Sequence, residues 1–254
     1  MPGNLDDLKR GVCHLWWWRP DALTDTLAES GLALLSADEL ARYGRYLVSH
    51  AAQTFLVARV FLRSVLSVYS TIAPADWRFE TNPWGRPRIA ASAPAGLTFN
   101  LSHKPGCVVC LTGHGRELGV DVEDTAANRP HVLELVERFF SPSEAAELRA
   151  LPAERQVDRF YELWTLKESY IKARGMGLSL GLSRFSFSPR GSTASVRFDP
   201  GFHDDPAAWD FRLFHPDPQH LIATAVERLA GSPPTIEIRD AAGLIAQVLA
   251  SPKR

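Results

Sequence analysis

Asp121 and Glu123, two residues apart in the stretch "ELGVDVEDT", are side chains whose type and spacing could do chemistry. The stretch alternates like a strand, so Gly119, Asp121 and Glu123 share one face while Leu118, Val120 and Val122 share the other. The Cα atoms of the two acids would then lie about 6.5 Å apart, near enough for both carboxylates to reach one divalent cation. Like charges at a strand end repel unless a cation, a base or solvent compensates them. The plain alternative is an acidic face exposed at a sheet edge. A second group lies in the helical pattern "FYELWTLKESYIKARG", where Trp164, Glu168 and Lys172 fall at i, i+4 and i+8 on one stripe. Here the alternative is an ordinary surface Glu–Lys pair worth a few tenths of a kcal/mol, about 0.2–0.5, though Trp164 and the nearby Ile171 argue against full exposure. Three carboxylates and a lysine with no thiolate cage suit a hard, oxygen-seeking ion, Mg²⁺ or in its place Mn²⁺. Mg²⁺ held by few protein ligands keeps positions open for phosphate oxygens, which points to phosphoryl chemistry.

The elements that must position these residues form an α+β pattern. "VCHLWWW" reads as an opening strand ended by Arg19-Pro20-Asp21. "SADE" is a capping signature for a helical region from Ser36 to about Tyr69, with Gly44 and Ser49-His50 as its breaks. "TNPWGRPRIAASAPAG" is too rich in Pro and Gly for a helix and reads as a loop around a short strand. Strands follow at "LTFNLSH", "GCVVCLTG" and "RELGVDVED", and helices at "HVLELVERFF", "SPSEAAELRAL" and "RQVDRFYELWTLKESYIKARG", the last ended by Gly175. Five more strands are expected, the last at "TIEIRD", and then a short helix at "AAGLIAQVLA". Strand, helices and strands thus occur twice, suggesting two α+β halves, 1–115 and 116–254.

Composition limits the function classes. Lys and Arg number 28 against 29 Asp and Glu, so the chain carries no bulk field for collecting nucleic acid or anionic membrane, and any phosphate binding must be local. Cys13, Cys107 and Cys110 make an odd count without zinc-ligand spacing, which predicts reduced core thiols. No signal-peptide pattern or membrane-length apolar run is present, so the cytoplasm is the expected compartment.

The motifs "GVDVEDT", "RFFSPSE" and "FYELWTLKESYIKARGMGLSLGLSRFSF", with "NPWGRPRI" and "FNLSHKPG" upstream, resemble those of the surfactin-type 4′-phosphopantetheinyl transferases, in order from about Arg42 to Phe187. The resemblance implies a pseudo-dimer of two similar subdomains, each a small sheet packed on a long helix, with the active site in the cleft between them. It assigns coenzyme A nucleotide contacts to the first half, and the metal-binding acids and catalytic helix to the second. It also implies Mg²⁺-dependent transfer of the phosphopantetheine arm of coenzyme A to a serine of an apo acyl carrier protein or peptidyl carrier domain, releasing adenosine 3′,5′-bisphosphate. Such carriers serve fatty acid, polyketide or peptide biosynthesis. A monomer is expected, with no nucleic-acid or membrane partner.

Carried over residue by residue, Asp121, Glu123 and Glu168 are the implied Mg²⁺ ligands, and Lys172 and Lys167 the lysines beside the phosphates, Lys167 having an exposed helix lysine as its alternative. Glu144 matches a position proposed to deprotonate the carrier serine, although Ser141-Pro142-Ser143-Glu144 is equally a capping box. Ser102 and His103 are implied to contact coenzyme A phosphates. Arg86 is placed near the nucleotide, where Gly85 permits close approach, and Arg42 and Arg45 at the 3′-phosphate. Gln53 stands where relatives often carry Arg or Lys, leaving Arg59 or Arg42 to substitute. Phe139-Phe140 is a candidate carrier contact, with core packing as its rival. Asp124 is expected to point away from the metal face or to cap the strand exit. A Mg²⁺-dependent phosphodiesterase or nuclease, and a noncatalytic coenzyme A-binding module, are the competing readings. Cleavage of a phosphodiester without a carrier would favour the former, and binding without product the latter.

Overall fold

A computed structural model describes residues 4–20, 25–90, 94–127 and 132–251; Asp21 and His131, named above as parts of a turn and a helix, lie outside them. The elements run α1 (Leu5–Lys9), β1 (Val12–Trp18), α2 (Asp25–Leu32), α3 (Ala37–Tyr43), α4 (Ser49–Ser67), β2 (Phe79–Thr81), β3 (Pro87–Ile89), β4 (Leu97–Lys104) and β5 (Cys107–His114). They continue with β6 (Leu118–Asp124), α5 (Val132–Phe139), α6 (Pro142–Ala150), α7 (Ala153–Arg174), β7 (Phe185–Arg190), β8 (Thr193–Phe198), β9 (Trp209–Asp217), β10 (His220–Glu227), β11 (Thr235–Asp240) and α8 (Ala242–Ala250). The expected α+β class is what the chain adopts, and none of the described helices is long and apolar enough to cross a membrane.

Two compact units result, Met1–Gly115 with Thr235–Arg254, and Arg116–Pro234. The first unit therefore takes in the C-terminal tail as well as the residues up to Gly115. The reason is pairing: β11 runs parallel to β1 in the register Val12↔Thr235, and the Ala241 amide donates to the Trp17 carbonyl at 3.0 Å.

In the first unit the strand order is β11-β1-β5-β4, and β2 and β3 form a separate hairpin. Trp16, Trp18, Phe61, Leu62, Val65 and Phe99 are among the residues of a core packed around α4. The expected break in the early helical region falls where predicted: Ser36 and Glu39 form a reciprocal capping box for α3, Gly44 ends it, and α4 begins at Ser49. All three cysteines are buried, and none forms a disulfide among the described residues.

A buried polar chain ties the returning tail to this sheet. Arg239 Nη2, which can only donate, lies 3.1 Å from His14 Nε2, so the His14 Nδ1–H is the donor to the Tyr69 hydroxyl at 2.7 Å. Burial first, and then the Arg239 charge, lower the His14 pKa to about 4, with Glu237 and Asp7 opposing. A depressed histidine pKa means that the unfolded chain takes up a proton before the folded one. Stability is therefore complete above pH 6.5 and falls as pH drops toward 4. The loss amounts to about 3 kcal/mol at most, at roughly 1.4 kcal/mol per pKa unit. Urea unfolding at pH 7 and pH 4.5 measures this loss, and a His14→Gln variant should show less of it.

In the second unit the sheet order is β6-β10-β9-β8-β7, with all neighbours antiparallel. The long helix α7 covers one face, burying Phe160, Leu163, Leu166 and Tyr170 together with Leu221, Ala223 and Ala225 of β10. It ends at Gly175, whose φ of 63° is the left-handed conformation that glycine adopts without strain. Each unit thus packs a small sheet on one long helix, 19 residues in α4 and 22 in α7.

Candidate active site

Position 119 explains how the acidic strand meets its helix. A Cβ built on Gly119 would lie 2.0 Å from the Ser169 carbonyl oxygen and 2.4 Å from the Ala173 amide nitrogen, so only glycine lets β6 approach the α7 backbone this closely. Because side chains alternate, the Gly119 face is also that of Asp121 and Glu123, which therefore lie under α7. Both acids are buried, 4% and 2% exposed, although β6 is an edge strand. The exposed-edge alternative is excluded for them.

Along α7 the residues next to this contact, one helical turn apart from each other, are Glu168 before Ser169 and Lys172 before Ala173, both half-buried. Lys172 Nζ donates to Asp121 Oδ1 at 2.6 Å, a charge-assisted bond that compensates one of the two buried acids. Asp124 departs from its neighbours as expected: its Oδ1 accepts from the Ala126 amide at 3.0 Å and caps the strand exit. Trp164, on the same stripe, packs against Phe139, Phe140 and Phe160. Phe140 is core at 3% exposure, and Phe139 is half-buried against Trp164. Among the described residues, no group of three or more His, Cys, Asp or Glu side chains is arranged to hold a metal ion. What β6 offers is a pair of oxygen donors on one strand face, a donor set that fits Mg²⁺ because this ion takes one or two carboxylates and leaves its other positions to water and phosphate.

Glu144 and Lys167 are brought together, away from solvent. Glu144, 1% exposed, accepts from the Ser141 amide at 2.9 Å and the Ser141 hydroxyl at 2.8 Å through Oε2, and from the Phe187 amide at 2.8 Å through Oε1. The capping box is formed, which favours the structural one of the two roles weighed for this residue. Lys167 is neither an exposed helix lysine nor open to a phosphate. It is fully buried, pairs with Glu144 Oε2 at 2.8 Å, and donates to the carbonyls of Leu182 at 2.8 Å and Phe185 at 2.5 Å. Burial lowers its pKa, while Glu144 opposes that shift.

The first unit gathers a basic cavity of about 380 Å³ lined by Arg42, Tyr46, Thr54, Phe55, Arg59 and His103, among others. Arg42 and Arg59 each place a guanidinium carbon 5.2 Å from the Phe55 ring centre. Arg45 is exposed and donates to the Ala41 carbonyl; Arg86 sits half-buried in the β2–β3 turn, its amide held by Asn82 Oδ1 at 2.8 Å; Ser102 is buried on β4. Gln53 lines a different cavity, with His50, Thr54, His103 and Lys104. Burial first, then the nearby Arg42 and Arg63 charges, lower the Arg59 pKa against the pull of Glu39, so the cavity carries positive charge that an anion would relieve. In the sequence Arg59 stands out only as a substitute for Gln53. Its spacing from Phe55, i to i+4 on α4, is the signal that places it in the cavity.

Comparison with known proteins agrees with this geometry. A family model described as the 4′-phosphopantetheinyl transferase superfamily matches residues 117–225, which include β6 and α7. The chain is 32% identical over 234 residues to the 4′-phosphopantetheinyl transferase HetI of Nostoc sp., covering 91% of this chain and 94% of that protein. It is 36% identical over 158 residues to the 4′-phosphopantetheinyl transferase Sfp of Bacillus subtilis, covering 62% and 68%. With a phosphopantetheinyl transferase of Thraustochytrium sp. it shares 29% identity over 256 residues, covering 90% and 85%. The chain belongs to the 4′-phosphopantetheinyl transferase superfamily.

Proposed function

We propose that the protein transfers the 4′-phosphopantetheine arm of coenzyme A to a serine hydroxyl of an apo acyl or peptidyl carrier protein, releasing adenosine 3′,5′-bisphosphate, and that it does so with Mg²⁺. The observation that carries this reading is the buried pair Asp121 and Glu123 lying under α7, with Lys172 2.6 Å from Asp121. Two acids held on one covered face cost stability unless a positive partner or metal use repays them. Asp121 and Glu123 would hold the metal, with Glu168 of the adjoining α7 as the third ligand that the resemblance implies; when bound, the metal supplies neutralisation of charge on the pyrophosphate oxygens. Lys172 would donate to a phosphate oxygen from its place beside Asp121, steadying charge that grows on the leaving group. In the first unit, Arg42, Arg59 and His103 would take the phosphates at the nucleotide end, with Arg45, Arg86 and Ser102 as further contacts.

A panel of apo carriers from fatty acid, polyketide and peptide assembly, compared by kcat/KM with coenzyme A and Mg²⁺, tests the reaction and identifies the partner class together. Phosphodiester cleavage without any carrier would replace this reading with a phosphodiesterase. A narrower test concerns Arg59. Losing one charge-assisted contact, Arg59→Gln should raise the KM for coenzyme A about tenfold. It should leave the KM for 3′-dephospho-coenzyme A within about twofold. Equal effects on both substrates would remove Arg59 from the 3′-phosphate.

A further inference from the structure

The two units carry the same buried device. In the second, the α6 capping box Ser141–Glu144 extends through Glu144 to Lys167 of α7, and Lys167 in turn holds the carbonyls of Leu182 and Phe185. In the first, the α3 capping box Ser36–Glu39 extends through Glu39 to Arg63 of α4 at 2.5 Å, and Arg63 holds the carbonyls of Pro74 at 2.9 Å and Trp77 at 3.0 Å. Both cations are essentially fully buried, Arg63 1% and Lys167 0% exposed. Each device therefore joins three things: the start of a short helix, the C-terminal half of the long helix, and the backbone that leaves it.

The placement of each device differs: Arg63 is four residues from Arg59 and on the same side of α4, whereas Lys167 lies across its helix from Lys172. At about 100° per residue, Lys167 points to the side of α7 roughly 140° from Lys172, so it grips the helix from behind while Glu168 and Lys172 sit toward β6. Glu39 has a second contact, Arg59 Nε at 3.4 Å from its Oε1, so the carboxylate that anchors α4 also aims a cavity arginine. A buried ion pair is weak evidence for added stability, since apolar residues of similar volume often do as well. Its directional bonds do fix rotation and axial position, and here they fix α7 beside the acids of β6 and, within the other unit, α4 beside the basic cavity.

We infer that Glu144–Lys167 and Glu39–Arg63 are paired positioning devices, the first setting α7 against the acids of β6 and the second setting Arg59 in the basic cavity. This rests on the transferase reading for its kinetic consequences but not for its structural ones. The test uses the full chain with Glu144→Gln and Glu39→Gln. Glu144→Gln should raise the Mg²⁺ concentration for half-maximal transfer about tenfold or more, because a small displacement of α7 moves Glu168 and Lys172 relative to the acids of β6. It should leave the KM for coenzyme A within about twofold and both limbs of the pH–kcat profile in place. Glu39→Gln should do the reverse, raising the coenzyme A KM about tenfold with the Mg²⁺ requirement unchanged. Without metal or substrate, amide hydrogen exchange should quicken in Leu166–Arg174 for Glu144→Gln and in Phe55–Ser64 for Glu39→Gln. The inference is overturned if each variant shifts both constants alike, or if exchange rises evenly across the chain. Loss of the acid limb at saturating Mg²⁺ in Glu144→Gln would also overturn it, making Glu144 the base. Should Glu144→Gln not fold, Glu144→Met/Lys167→Met, which leaves no lone buried charge, takes the same measurements. A wild-type protein without transfer would sink the functional reading alone, because the exchange experiment still decides the positioning claim.

Discussion

Asp121→Ala is expected to lower kcat/KM for carrier modification by about 10³-fold, as loss of roughly 4 kcal/mol of charge stabilisation would do. The substitution removes a buried carboxylate from the covered face of β6 and takes away the acceptor that holds Lys172 at 2.6 Å. Two groups are lost to the chemistry at once, which is why the effect should exceed that of any residue in the basic cavity. The fold should survive. Lys172 is 28% exposed and can turn to water, so no isolated charge is trapped by the change. Circular dichroism and a urea midpoint close to wild type, together with the rate loss, would place Asp121 in the chemistry. Wild-type turnover would remove it from the site.

Gly119→Ala should do comparable damage by a different route. The added methyl would meet backbone atoms, the Ser169 carbonyl oxygen at 2.0 Å and the Ala173 amide at 2.4 Å, and no rotamer change can relieve that. Overpacking typically costs about 1–3 kcal/mol when side chains can yield, and here β6 and α7 must part instead. The expected outcome is a loss of about 3 kcal/mol or more in urea unfolding. Parting the two elements also separates Glu168 and Lys172 from Asp121 and Glu123, so transfer should fall by about 100-fold, as misplacement of even 1 Å can cause. Wild-type stability and turnover in this variant would mean that α7 does not lie against β6 in the working protein.

Local rules reached much of this arrangement. The period of two in "GVDVE" put Asp121 and Glu123 on one face before any contact was known, and the two serine–glutamate capping signatures located the starts of α3 and α6. Gly44 and Gly175 mark helix ends because glycine is a poor helix-interior residue and, at Gly175, takes up the left-handed conformation without strain. What escaped depends on partners distant in the chain. Gly119 looked like one more strand residue, since its meaning lies in the backbone of a helix 50 residues on. Lys167 reads as a surface lysine until Leu182, Phe185 and Glu144 close around it. The strand "TIEIRD" alternates as β11 does, but nothing in the segment names β1 as its parallel neighbour. Glu39 shows as a cap in the sequence, whereas its pairing with Arg63 needs α4 folded beside it.

The most direct measurement is the intact mass of an apo carrier protein after incubation with this protein, coenzyme A and Mg²⁺, beside the same mixture with a chelator and one with the carrier serine changed to alanine. The account predicts a gain of one phosphopantetheine in the first mixture and none in the other two. An unchanged mass across carriers of all three assembly classes would contradict it, as would an undiminished gain in the presence of the chelator.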